Sequence, residues 1–88
     1  MEDTLRRAEA SHRAHLLRYA QELEEKGASL EAMDLYLQLL QEFPESPEGA
    51  GARGKLLALA QRWEAQGRVY SALHLLKRLG EVLQPGEG

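Results

Sequence analysis

The chain repeats itself once at a spacing of forty residues, and this limits what it can fold into more than any other feature. Residues 13–44 laid over 53–84 match at Arg13/Arg53, Leu16/Leu56, Leu17/Leu57, Ala20/Ala60, Gln21/Gln61, Glu24/Glu64, Gly27/Gly67, Ala32/Ala72, Leu35/Leu75 and Leu39/Leu79. These are ten identities in thirty-two pairs, where a shuffled chain of this composition would give roughly three. A unit of this length cannot bury a core alone, so neighbouring units must stack. Chains built that way present extended surfaces and mostly bind other proteins.

With 88 residues there is room for one domain with a modest core. Leu and Ala dominate, Ile, Asn and Cys are absent, and no β-branched run occurs, so the expected fold class is all-α. The missing Cys excludes disulfides and thiolate metal sites. No stretch approaches the run of roughly twenty apolar residues needed to span a bilayer, and the charged start MEDTLRR has no apolar run of a signal peptide. A cytoplasmic protein without a membrane partner is expected. A net charge of −3 argues against nucleic acid as the main partner. The charge is unevenly placed. Residues 21–50 carry eight acidic groups against Lys26 alone, and residues 51–79 carry six basic groups against Glu64 alone. Either both are solvated surfaces, or the acidic copy meets the basic one within a molecule or between subunits.

Periodicity predicts four helices. The first spans about Asp3 to Lys26, on a stripe of Leu5, Ala8, His12, Leu16, Tyr19 and Leu23. Its outer face carries Glu2/Arg6, Asp3/Arg7, Glu9/Arg13 and Glu22/Lys26, each with the acid first at i,i+4. Gly27 ends it. Ser29 is the expected cap of the second helix, which shows Ala32, Met33, Tyr36, Leu39, Leu40 and Phe43 before Pro44 stops it. Ser46-Pro47-Glu48 signals a third helix, from Pro47 to Gln66, with Ser at N-cap and Pro at N1. The fourth runs from about Arg68 to Gln84 on Val69, Ala72, Leu73, Leu76, Leu79 and Leu83, and residues 85–88 form a flexible tail. Short connections force successive helices antiparallel, giving two related hairpins.

These residues resemble the tetratricopeptide repeat. That family places a small residue midway along the first helix, a Gly at the turn, Ala early in the second helix, an aromatic one turn later, and a closing Pro. Here those places read Ala20, Gly27, Ala32, Tyr36 and Pro44, then Ala60, Gly67, Ala72 and Leu76, with Gln84 before Pro85. The resemblance covers residues 13–84 as repeats 13–44 and 53–84, leaving 1–12 as an N-terminal helical extension. It departs from the family in its spacing of forty rather than thirty-four, and in Leu39 and Leu79, which stand where a small residue is usual. Two copies are also fewer than stacked repeats generally need. Self-association is the simplest remedy, with Leu5 and Ala8 of the extension as candidate oligomerisation residues.

The resemblance implies a concave groove lined by Ala14, Leu17, Gln21, Glu24 and Glu25, then Gly54, Leu57, Gln61, Glu64 and Ala65. A Gln amide can donate to and accept from a peptide backbone, Leu offers an apolar anchor, and Glu24 and Glu64 would favour a basic residue in the ligand. The carboxylate clamp of chaperone-binding members has Lys and Asn where Leu17 and Gln21 stand here, so a chaperone tail is not the expected ligand. The expected function is a protein-interaction module or adaptor that captures a peptide or helix. The alternative is a structural protein that self-assembles.

Residues 49–56 spell both GxGxxG and GxxxxGK, but each motif needs a strand before it, and Phe-Pro-Glu-Ser-Pro-Glu is not one. Leu56 also replaces the hydroxyl that would hold magnesium. Read structurally, Gly51, Gly54 and Ala58 form a small-residue helix face. His12 and His15 lie one turn apart with Glu9 as the nearest acid, too few ligands for a designed metal site. Ser11, Ser29, Ser46 and Ser71 have no base and orienting group arranged around them. No enzyme, cofactor or metal is expected.

Overall fold

The computed structural model describes residues 2–84. Met1 and the expected flexible tail at 85–88 lie outside the described residues, as does the Glu2 side chain and with it the Glu2/Arg6 pair. The chain forms four α-helices: α1 (Glu2–Glu25), α2 (Ser29–Glu42), α3 (Pro47–Ala65) and α4 (Val69–Leu83). Among the described residues there is no strand. No helix is long and apolar enough to cross a membrane. The fold is all-α.

Both hairpin turns close in the same way. At α1 the Ala28 amide donates to the Leu23 carbonyl (2.8 Å) and the Gly27 amide to that of Glu24 (3.1 Å). At α3 the Arg68 amide donates to Trp63 (2.8 Å) and that of Gly67 to Glu64 (3.0 Å). This is the Schellman motif, which needs one residue with positive φ. Gly27 (φ 88°) and Gly67 (φ 80°) supply it, and among the described residues no non-glycine has a positive φ. The following helix starts directly from the turn, as the Ala32 amide donates to the Ala28 carbonyl and the Ala72 amide to that of Arg68. Ser29 is therefore not the cap expected of it. It is the first helical residue of α2, the cap position falls on Ala28, and no side chain bonds there.

Between the hairpins the chain uses a side-chain cap, as the sequence predicts. Ser46 Oγ accepts from the Gly49 amide at 2.9 Å and donates to the Phe43 carbonyl at 2.8 Å, with Pro47 in the first turn. Gly49 is buried, and a Cβ there would collide with the Phe43 carbonyl oxygen. The small face read at Gly51, Gly54 and Ala58 is exposed instead. The close approach falls on Gly49 and the fully buried Ala52.

Each helix packs against its successor, and α1 also touches α3 as α2 touches α4. Two layers result, α1 with α3 and α2 with α4, in a flat body of 50 × 37 × 15 Å. The core between them holds Ala20, Met33, Tyr36, Leu37, Leu39, Leu40, Leu56, Leu59, Trp63, Leu75 and Leu79. Each fully buried large side chain here contributes about 1.5–3 kcal/mol by leaving water. The repeated small residues Ala20/Ala60 and Ala32/Ala72 are all buried, which lets the paired helices approach closely.

Two expectations for the helix faces need correction. Of the stripe expected on α4, Ala72 and Leu79 enter the core together with Leu75, whereas Val69, Leu73, Leu76 and Leu83 are 49, 57, 43 and 41% exposed. On α1, Leu5, Ala8, His12 and Tyr19 are exposed, while Leu16 and Leu23 are half-buried. Nor do Asp3/Arg7, Glu9/Arg13 and Glu22/Lys26 close as ion pairs. Arg13 reaches instead to Glu48 at the start of α3 (3.1 Å) and lies over the Phe43 ring. A partner held in a packed turn outcompetes one on the same exposed helix face, where such pairs contribute only about 0.3–0.5 kcal/mol.

Candidate protein-docking surface

The residues singled out from the sequence fall into two rows with different surroundings. Leu17, Gln21 and Glu24 are half-buried on the flank of α1 that meets α3. A Cβ on Gly51 would lie 3.8 Å from Leu17 Cδ2. Further along, Arg62 Nη2 donates to Glu24 Oε2 at 2.9 Å. Gln21, Glu24, Glu25, Lys55 and Arg62 line a shallow polar depression between the two helices.

Glu24 is fully engaged. Its second oxygen accepts from the buried Tyr36 hydroxyl at 2.8 Å, so one carboxylate ties α1 to both α2 and α3. Burial, and next the bond to Glu24, push the Tyr36 phenol well above its ordinary value, so it remains a donor throughout the neutral range. The role expected of Glu24, meeting a basic residue in a ligand, is taken within the molecule by Arg62.

The second row sits elsewhere. At 100° per residue, Leu57, Gln61 and Glu64 lie roughly a third of a turn from Gly51, Lys55 and Arg62, the α3 residues that face α1. All three are exposed, with Leu57 at 40%. Ala14 is exposed on α1. The two rows therefore do not line a single groove. The first copy of the stripe is spent on packing α1 against α3, and the second copy is open.

Leu57 shares a depression with Leu40, Pro44, Arg53 and Leu83. It thereby joins the uncovered apolar face of α4, formed by Val69, Leu73, Leu76 and Leu83 at four- and three-residue steps with Gly80 in the gap. The sequence carried a signal for this face. The α2 residues forty positions earlier are Met33, Tyr36 and Leu40, at 3, 0 and 3% exposure. The difference lies in the neighbours, because α2 has α3 packed against it and α4 has no following helix among the described residues.

The outer face of α1, with Ala8, Ser11, His12, His15, Leu16 and Tyr19, is the mirror case. Leu5 continues it, 63% exposed. Its α3 counterparts Ala52, Leu56 and Leu59 are all buried at 1% or less.

The glycines at 49, 51 and 54 lie inside α3, with no strand before it. Among the described residues no group of three His, Asp or Glu side chains is placed to hold a metal ion. Comparison of the chain with family models, with curated proteins and with solved structures returned no match.

Proposed function

We propose that the chain is a helical-repeat interaction module of the tetratricopeptide type, acting in the cytoplasm as an adaptor that captures protein partners without chemistry. The observation that supports it is the apolar face of α4 with Leu57, five large side chains left 40% or more exposed beside a core that takes Leu75 and Leu79. A contiguous apolar surface of this kind marks an interaction site on a soluble protein. It stands in place of the groove expected through both stripes, because Glu24 is bonded to Arg62 of α3 and Leu17 lies against Gly51. Glu64, exposed at the edge of α3, remains the acid available to a basic group of the partner.

Affinity capture compares the native chain with Leu73→Glu/Leu76→Glu. Both sites are solvent-facing, so the variant keeps its helicity by circular dichroism. We expect specifically bound proteins, a second copy of the chain included, to be lost from the variant by tenfold or more. Equal recovery on both baits sinks the assignment of function to this face.

A further inference from the structure

We propose that the chain stacks head to tail on further copies of itself, with α4 of one molecule packed on the exposed outer face of α1 of the next. This rests on reading the α4 face as a docking surface and names its occupant.

The argument starts from the interface inside the molecule. There the second helix of one hairpin, α2, packs on the first helix of the next, α3. Met33, Tyr36 and Leu40 of α2 and Ala52, Leu56 and Leu59 of α3 are all buried in the core that these two helices share. Shifting by the forty-residue period turns the first set into Leu73, Leu76 and Gly80, which lie on the open face of α4. Shifting the second set back turns it into His12, Leu16 and Tyr19, which lie on the outer face of α1. One molecule thus carries both halves of an interface it already makes internally, each uncovered and at opposite ends of the stack.

The halves match in character. Leu73, Leu76, Val69 and Leu83 present an aliphatic ridge. Tyr19, Leu16 and Ala8 present an apolar floor, with His12 and His15 along it. Gly80, where α2 has Leu40, leaves the ridge room to accommodate the larger His12 and Tyr19 that replace Ala52 and Leu59. An interface made of two different patches is heterologous: it builds a ring where the rotation between neighbours closes and an open chain where it does not, and in neither case a two-fold dimer.

Complementation separates this arrangement from a symmetric dimer. One variant, Leu73→Glu/Leu76→Glu, blocks the α4 face. The other, His12→Glu/Tyr19→Glu, blocks the outer face of α1. All four positions are solvent-facing, and circular dichroism verifies folding. By sedimentation or light scattering, the native mass should climb with concentration without settling at a dimer. Each variant alone should be a monomer, and an equimolar mixture should form a one-to-one dimer through the two intact faces. A native chain that remains monomeric at high concentration overturns the stacking, while partner capture by the α4 face would be judged separately by the comparison of native and variant baits. A dimer persisting in the His12→Glu/Tyr19→Glu variant also overturns it, because it would show α4 pairing with α4.

Discussion

Gly49 and Gly54 stand five residues apart in α3 and serve opposite ends. At Gly49 the backbone comes so close to the Phe43 carbonyl that no side chain fits, whereas a Cβ at Gly54 would meet nothing within 4 Å. Forcing a methyl into the first site displaces backbone rather than a flexible side chain, and we expect Gly49→Ala to cost about 1–3 kcal/mol. At the second site the methyl removes backbone freedom from the unfolded chain at no steric cost, so Gly54→Ala should add up to about 1 kcal/mol. Urea midpoints of the two variants should move in opposite directions, and a Gly49→Ala protein as stable as the native chain would show that the turn relaxes freely. Only part of this was legible in the sequence. Gly27 and Gly67 announce themselves because both follow a helical pattern and recur at the period, and their positive φ is a local requirement. The need for Gly49 is set by the carbonyl of a residue six positions away across a turn, and no local pattern encodes that. In the sequence it belongs to a phosphate-loop string instead.

At the scale of elements, the helix starts separate into two kinds. The third helix is held by Ser46, whose hydroxyl both accepts from Gly49 and donates to Phe43. The second and fourth grow out of Schellman turns and need no side chain. Removing the Ser46 hydroxyl should therefore cost about 1 kcal/mol, as measured for such caps. Ser29→Ala should change stability by a few tenths at most, and Ala is the better helix former. A denaturation midpoint for Ser29→Ala that falls as far as that of Ser46→Ala would restore Ser29 as a cap. The sequence held the means to tell them apart. Forty residues after Ser29 stands Val69, which cannot cap, so the repeat itself indicates that this position needs no hydroxyl. The exposed apolar face of α4 was harder to read, for a physical reason. Periodicity finds which residues of α4 are apolar, but α2 and α4 share that pattern, and only the presence of a following helix decides whether Leu73 and Leu76 are core or surface. Leu17 and Leu57 show the same effect, being identical in sequence and register but different in their neighbours.

Across the whole molecule, the question is whether the two hairpins act as one body. Stacked repeats are joined only through nearest-neighbour interfaces, and in long arrays cooperativity can break down. Here α2 touches α1, α3 and α4, so no cut through the fold spares it. A polar link that spans three helices, Tyr36–Glu24–Arg62, crosses the same boundary between hairpins. Opening the second hairpin alone would strip α3 and α4 from α2, exposing Tyr36, Leu37 and Leu40, and would leave Glu24 without its guanidinium. Each of those large side chains loses about 1.5–3 kcal/mol of burial, comparable to the whole stability expected of a domain this small. A half-open species should thus be scarcely populated. Trp63 makes this measurable, since it lies in the second hairpin, 1% exposed beneath the Arg68 guanidinium, and is the single tryptophan of the chain. In the Leu73→Glu/Leu76→Glu background, which removes self-association from the equilibrium, urea transitions followed by Trp63 fluorescence and by helicity should coincide. Fluorescence changing at lower urea than helicity would mean that the second hairpin opens by itself, and that the α2–α3 interface, the template for stacking between molecules, is too weak to hold separate chains together.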